Sequence, residues 1–213
     1  MAGPVSLLVP DLIRGLNAKT GRARFGCLND LVRLSETQPE TLYPHFDCFV
    51  ALLDSGNSIH RWNATRILAN LAAVDRESKL EPVLDKLLGV IRGAQMIGAA
   101  VAIQSAATIA LAKPEWADRI ANSILQVRRA RYQTEECSNV ALGHAIAALD
   151  RFFASIQRKD GVERLFARNF RTPEAPRGRK PKSSCGKTAG GCSEDRHPPA
   201  KRRGRPSNPQ RHY

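Results

Sequence analysis

The chain of 213 residues lacks several features that define common classes of protein. Its five cysteines are odd in number and irregularly spaced, which argues against a disulfide framework and predicts a reducing, intracellular compartment. The amino-terminal residues MAGPVSLLVPDLIRG have no basic region, and Pro10 and Asp11 break their apolar run, so no signal peptide is predicted. No segment has a convincing strand pattern, and apolar residues instead recur at helical spacing. We therefore expect an all-α protein.

Large apolar side chains are missing from the last 43 residues, which contain no Leu, Ile, Val, Phe, Met or Trp. This segment carries 12 Lys and Arg against 3 Asp and Glu, so it holds most of the net charge of +13. A segment without such side chains cannot build a core. The sequence therefore predicts a helical domain over residues 1–170 and a disordered basic tail over residues 171–213. The uneven charge predicts a polyanionic partner, with nucleic acid ahead of an anionic membrane.

A membrane-spanning helix is not predicted, although one uncharged stretch is long enough to span a bilayer. This stretch, from Gly93 to Ala112, is rich in Ala and Gly and contains Gln104, Ser105 and Thr108. A membrane span is dominated by large apolar residues over about 20 positions. We therefore expect a helix buried within the protein and no membrane partner.

The predicted helices come in pairs, and the pairs recur. Similar segments open the first helix of each pair at Arg24, Arg61, Gln104 and Asn139, which are 37, 43 and 35 residues apart. A period near 40 with two helices per unit indicates units that bury their apolar faces only by stacking. This pattern resembles HEAT repeats over roughly residues 5–168. The resemblance implies a short right-handed α-solenoid of about four helix pairs, and an irregular helical bundle is the alternative.

Charge also follows the predicted pairs. Turns that join one pair to the next carry the basic residues Lys19, Arg22, Arg24, His60, Arg61, Arg92, Arg128, Arg129 and Arg131. Turns inside the pairs carry the acids Glu36, Glu40, Asp75, Glu77, Glu81, Glu115 and Asp118. The helix dipole favours acids at helix starts and bases at helix ends, so it explains Glu40, Arg92 and Arg128. It does not explain three arginines at helix starts, and we expect these three to be exposed: Arg22, Arg24 and Arg61. Candidate contacts to DNA phosphates are therefore Arg22, Arg24, Arg61, Arg128, Arg129 and Arg131.

The tail contains a short pattern that fits the minor groove of DNA. In KRRGRP, a glycine between Arg203 and Arg205 lets an extended backbone lie on the groove floor. The two arginines can then reach along the narrow, negative groove over A·T pairs, where no guanine amino group obstructs them. Pro206 keeps the chain extended. The residues RRGRP resemble the AT-hook of high-mobility-group A chromatin proteins, and PRGRKP at residues 176–181 is a weaker copy. The predicted DNA-binding residues are Arg177, Gly178, Arg179, Lys180, Lys201, Arg202, Arg203, Gly204, Arg205 and Pro206.

These patterns predict a non-enzymatic, DNA-associated protein whose helical surface is also open to a protein partner, located in a nucleus or nucleoid according to the host. The basic segment is also compatible with a nuclear localisation signal. One alternative is a protein-interaction scaffold with a nonspecific basic tail. Another is an alkylpurine DNA glycosylase on a HEAT-like fold, for which Trp62, Trp116 and Asp118 are the available residues. No cofactor, small-molecule substrate or catalytic residue is predicted.

A metal site is not predicted either. The tail residues Cys185, Cys192 and His197 have a spacing that suits no common zinc module, and a fourth ligand is not evident. A solvated tail is the better interpretation of these three residues.

Overall fold

The structure, a computed structural model, describes residues 9–17 and 20–169, and these contain helices and no β-strand. The α-helices are α1 (Val9–Gly15), α2 (Gly21–Thr37), α3 (Pro39–Leu42), α4 (Phe46–Leu52), α5 (Ser58–Leu71), α6 (Glu81–Gly89), α7 (Met96–Ala112), α8 (Ala117–Leu125), α9 (Glu135–Arg151) and α10 (Asp160–Asn169). Short 3₁₀ segments lie at Tyr43–His45, Ala72–Val74, Val90–Arg92, Pro114–Trp116, Gln126–Arg129 and Phe153–Ser155. The predicted all-α fold is confirmed.

Two helices begin with capping side chains. Asn57 accepts a hydrogen bond from the backbone N–H of Ile59 at 2.9 Å, at the start of α5. Thr134 accepts one from the backbone N–H of Cys137 at 3.2 Å, at the start of α9. These bonds stabilise the helices because the first amides of a helix have no acceptor within it.

The helical spacing of Leu42, Phe46, Phe49 and Leu53 predicts one helix that begins at Pro39, but the structure does not form it as a continuous helix. Pro44 has no amide hydrogen to donate within an α-helix, and residues 43–45 form a 3₁₀ turn between α3 and α4. Near the end of the described residues, α10 buries Val162 and Leu165 at the helical spacing of i and i+3.

The long helices α2, α5, α7 and α9 pack in that order, each against the next. The second helices of the pairs pack onto this row: α3 and α4 against α5, α6 and α8 against α7, and α10 against α8 and α9. Each predicted pair thus contacts its neighbours in chain order. The right-handed solenoid and the relationship to HEAT repeats stay predictions.

Helix α7 has the central place because α5 and α9 flank it. Its buried residues are mostly Ala and Gly, with Ile103 and Ile109 among them. Short side chains let neighbouring helices approach closely, and each fully buried Ile contributes roughly 1.5–3 kcal/mol. A charged side chain on such a helix would lose its hydration, and this cost explains why residues 93–112 contain no charged residue.

Three further observations concern the described part of the chain. No helix within residues 9–17 and 20–169 combines the length and apolar character that crossing a bilayer requires. Cys27, Cys48 and Cys137 are free thiols. The same residues contain no group of three or more His, Cys, Asp or Glu side chains arranged to hold a metal ion.

Candidate nucleic-acid interface

The predicted minor-groove residues, Arg177 to Lys180 and Lys201 to Pro206, lie outside the residues that the structure describes. So do Cys185, Cys192 and His197. The candidate interface on the helical domain is therefore the edge where one helix pair joins the next.

Four arginines gather at this edge, and we call them the basic cluster: Arg92, Arg128, Arg129 and Arg131. The 3₁₀ segments Val90–Arg92 and Gln126–Arg129 pack against each other. The hydroxyl of Tyr132 donates a hydrogen bond of 2.8 Å to the carbonyl of Ile91, which brings the chain after α8 to the chain after α6. All four arginines are exposed, and none forms an ion pair with an acid in residues 9–17 or 20–169.

The helix dipole accounts for part of the basic cluster. Arg92, Arg128 and Arg129 lie in the last turns after α6 and α8, where free carbonyl groups favour a cation. The end of a helix carries only roughly half an elementary negative charge, so it does not neutralise these side chains. Two acids in the first turn of α9, Glu135 and Glu136, follow Arg131 closely along the chain and reduce the positive charge of the cluster. Hydrogen bonds from its backbone amide and from Thr134 lower the pKa of Glu136, so it is ionised near neutral pH. The cluster keeps a surplus of positive charge.

Arg22 and Arg24 lie apart from the basic cluster, in the first turn of α2. This turn contains no acid, and the side chain of Thr20 makes no capping hydrogen bond. Arg22 is exposed as expected, whereas Arg24 is partly buried. Helix α2 contacts α5, and α5 and α7 lie between it and α9 in the row of long helices. The structure therefore does not join these two arginines with the basic cluster.

Arg61 has partners within the protein, which corrects the expectation that it is exposed. It is partly buried, and its guanidinium donates to the carbonyl of Ser55 at 2.6 Å and to the hydroxyl of Ser58 at 2.9 Å. The physical reason is that the turn between α4 and α5 presents acceptors that no helix satisfies. This arrangement indicates a structural role for Arg61, and its contact with phosphate stays a prediction.

The acids at the opposite edge divide into exposed and structural groups. Glu36, Glu40, Glu77, Glu81 and Glu115 are exposed. Asp118 instead accepts hydrogen bonds from the backbone N–H groups of Gln157 and Arg158, at 2.9 and 3.1 Å. It thereby fixes the segment between α9 and α10.

Asp75 is a structural residue that the charge pattern alone does not distinguish from its exposed neighbours. It is 3% exposed and accepts hydrogen bonds from the hydroxyl of Tyr43 at 2.7 Å and the backbone N–H groups of Lys79 and Leu80 at 2.9 and 3.1 Å. Its backbone carbonyl accepts from the ammonium group of Lys113 at 2.9 Å. One residue thus links three successive helix pairs.

The residues available to a glycosylase are not brought together. Trp62 approaches Gly98, near the start of α7, whereas Trp116 and Asp118 follow the end of that helix. A helix of 17 residues is about 25 Å long, since each residue adds about 1.5 Å. The two tryptophans therefore do not form one pocket with Asp118, which already holds the segment before α10.

An apolar cleft of 260 Å³ lies beside Trp62, between α5, α6 and α7. Its lining includes Leu87, Val90 and Gly98. A side chain at Gly98 would come within 3.3 Å of the indole nitrogen of Trp62, so the glycine keeps the helix close to this ring. The neighbouring Val90 and Ile97 are 41% and 51% exposed. Such a surface can accept an apolar side chain from another protein.

Comparison with models of protein families and with curated proteins finds no match for this chain.

Proposed function

We propose that this protein is a non-enzymatic, DNA-associated helical-repeat protein. Its tail binds the minor groove of A·T-rich DNA, and its helical domain contributes contacts to DNA phosphates or binds a protein partner. The observation that carries this proposal is the combination of two basic features in one chain: KRRGRP at residues 201–206 and the exposed basic cluster. A nuclear or nucleoid location follows from the same proposal.

The two basic features have different roles in this proposal. Arginines beside a glycine can enter a narrow groove and read its shape, which favours A·T pairs. Exposed arginines on a folded domain instead neutralise phosphates, and this strengthens binding to any sequence. The tail would therefore provide the preference for A·T-rich DNA, and the basic cluster would orient the helical domain on it.

The tail is tested by separating its shape from its charge. Gly204→Ala keeps the net charge but places a methyl group between the chain and the groove floor, and Arg203→Lys keeps the charge but loses the planar guanidinium. We expect each change to weaken binding to an A·T-rich duplex by about 1–3 kcal/mol at fixed salt. Binding to a G·C duplex of equal length should change less. A loss below a few tenths of a kcal/mol for both variants would reduce the tail to a nonspecific polycation.

The basic cluster is tested by a triple substitution of Arg128, Arg129 and Arg131 by Gln. Each phosphate contact that is lost should lower the dependence of log affinity on log salt by about 0.9. A matched variant replaces Arg33, Arg164 and Arg168, which are also exposed, by Gln. It removes the same charge from other surfaces and should change the salt dependence less. Equal effects of the two triple variants would exclude a specific role of the cluster.

A contribution of Arg22 and Arg24 is tested separately, because these two residues lie on α2. The double substitution by Gln should weaken DNA binding without unfolding the protein, and Arg61 is left intact because its bonds hold the turn before α5. Unchanged DNA affinity would assign this part of the edge to another ligand.

The apolar cleft beside Trp62 favours a second candidate function, a protein-interaction scaffold with a nonspecific tail. Removing residues 171–213 distinguishes the two functions. The proposed function predicts that the truncated chain loses most of its affinity for A·T-rich DNA. The scaffold function predicts that the truncated chain still binds its protein partner, and that the full-length chain has no preference between A·T-rich and G·C-rich duplexes.

A further inference from the structure

A second cleft lies among the four long helices, and its lining is polar. Residues from α2, α5, α7 and α9 surround a volume of 160 Å³. They are Glu36, Arg66, Ala69, Asn70, Gln104, Ser105, Thr108 and Arg151. Arg131 precedes α9 and Arg151 ends it, so the cleft and the basic cluster lie at opposite ends of this 17-residue helix, about 25 Å apart.

Both arginines of this polar cleft lack a close anionic partner in the described part of the chain. Arg151 donates only to neutral oxygens, at 3.4 Å to Gln104 Oε1 and 3.5 Å to Thr108 Oγ1. Arg66 lies 3.8 Å from Glu36, which is longer than the roughly 2.7–2.9 Å of a strong charged hydrogen bond. A guanidinium has five N–H donors, so most of these donors remain available to a ligand.

Ser105 adds a hydroxyl donor to the cleft. It lines the cleft and is 5% exposed, and its hydroxyl makes no hydrogen bond to another residue among 9–17 and 20–169. Since no fully buried side-chain oxygen or nitrogen in these residues lacks a partner, the hydroxyl is open to the cleft. Serine and threonine hydroxyls within helices usually donate to the carbonyl four residues earlier. Thr108 does so to Gln104 and Thr65 does so to Arg61, at 3.4 and 2.9 Å. The free hydroxyl of Ser105 is therefore an unused donor beside two available guanidinium groups.

The charge of the cleft selects the kind of anion. Two arginines and Glu36 leave a net charge of one positive unit, which a single carboxylate neutralises and a phosphate dianion exceeds. Exposed acids occupy the same edge of the domain, among them Glu40, Glu77 and Glu115. They would repel a polyanion such as DNA but tolerate an isolated negative group. A planar carboxylate also matches the parallel donors of a guanidinium.

We propose that the polar cleft binds a carboxylate group of a partner polypeptide. The guanidinium of Arg151 donates to both carboxylate oxygens, Arg66 turns from Glu36 towards the ligand, and Ser105 donates a third hydrogen bond. The carboxylate is supplied by an Asp or Glu side chain or by the end of a chain. This inference does not rest on DNA binding.

The test is a titration of the full-length, ¹⁵N-labelled chain with single-group probes, followed by NMR of backbone amides in residues 66–70 and 104–108. N-acetylglutamate N-methylamide should shift these signals saturably, with a dissociation constant in the millimolar range. The matched glutamine amide, which has no charge, should not. N-acetylglycine carries a terminal carboxylate and stands for the end of a chain, whereas the glutamate probe stands for an acidic side chain. The probe that binds more tightly shows which of these two carboxylates the cleft prefers.

Three variants make the test specific. Arg151→Gln should weaken binding of the glutamate probe by about tenfold or more, and Ser105→Ala should weaken it several-fold. Arg168→Gln, an exposed arginine on α10, removes the same charge and should leave binding unchanged. The proposal fails if the glutamine amide shifts the same signals, if Arg168→Gln and Arg151→Gln have equal effects, or if inorganic phosphate binds the cleft more tightly than the glutamate probe. DNA affinity measured on the same variants is a separate readout, so either proposal can fail alone.

Discussion

Replacing Asp75 by Ala tests how the helix pairs are held together. Its carboxylate accepts three hydrogen bonds, from Tyr43, Lys79 and Leu80, inside a site where it is itself 3% exposed. The turn that follows holds Ser78 at a φ of 56°, a left-handed conformation that a side chain disfavours. The bonds to the next two amides compensate for this strain. Loss of the carboxylate would therefore affect both the packing of the first two pairs and the shape of the turn.

The expected loss of stability follows from what each donor can do without Asp75. The amide of Leu80 belongs to a fully buried residue and would be left unsatisfied, which costs about 1–3 kcal/mol. Tyr43 and Lys79 are partly exposed, so their donors recover some hydration when the carboxylate is removed. The loss of each of these two hydrogen bonds should therefore cost an amount at the lower end of that range. We expect Asp75→Ala to lower the free energy of unfolding by about 3–4 kcal/mol, a large part of the 5–15 kcal/mol typical of a domain. Asp75→Asn keeps the shape of the side chain, but its NH₂ group would face one of the three N–H or O–H donors. We expect this change to lower the free energy of unfolding by about 1–2 kcal/mol.

Urea denaturation of the full-length chain, followed by circular dichroism, measures these losses. The matched control is Glu77→Gln, which removes a carboxylate from the same turn. Glu77 lies 3.1 Å from the ammonium group of Lys79 but is 63% exposed, and exposed ion pairs contribute about 0–1 kcal/mol. If Asp75→Ala destabilised the protein no more than this control, Asp75 would not be the link that its hydrogen bonds suggest.

Three further predictions concern stability. Burial and the hydrogen bond to Asp75 raise the pKa of Tyr43, and burial raises that of Tyr132, so the folded chain holds both protons more tightly than the unfolded chain does. Their contribution should be complete below about pH 10 and lost as the pH rises through the raised values, and Tyr43→Phe should reduce this alkaline loss in urea titrations. Gly143→Ala should stabilise α9 by about 0.5–1 kcal/mol in thermal unfolding, because an added Cβ meets nothing within 4 Å. Arg61→Gln should lower the unfolding free energy by about 1–2 kcal/mol, because it removes the guanidinium bonds to the turn before α5; a wild-type value would show that these bonds contribute little.

Local features of the fold could be predicted from the sequence because their physical causes are local. Asn57 and Thr134 cap helices through amides two and three residues away, and nothing distant has to be known. The burial of helix α7 could also be predicted, because a helix that is covered on several sides cannot carry charged residues without losing their hydration. The break at Pro44 has an equally local cause, the missing amide hydrogen, so it too can be predicted from the sequence.

The role of each charged side chain could not be predicted in the same way. Asp118 stands near the start of α8 like an acid that favours the helix dipole, but its partners are the amides of Gln157 and Arg158, about 40 residues further on. Asp75 likewise bonds to Tyr43, 32 residues earlier. These contacts depend on how the pairs pack, which a charge pattern along one chain does not contain. The same limit applies to the polar cleft, whose lining comes from four different helices.

The two candidate surfaces of the helical domain are electrostatically separable. A polyanion is attracted to the basic cluster before α9, where positive charge is in excess, and repelled by the exposed acids near the other end of the long helices. If the basic cluster contacts DNA phosphates, the polar cleft therefore faces away from the DNA, about 25 Å distant along α9. A separation of this size exceeds the Debye length of about 8 Å at physiological salt, so a carboxylate in the cleft would not compete with phosphates at the cluster. If both proposals hold, DNA and an acidic partner segment can bind the helical domain at the same time.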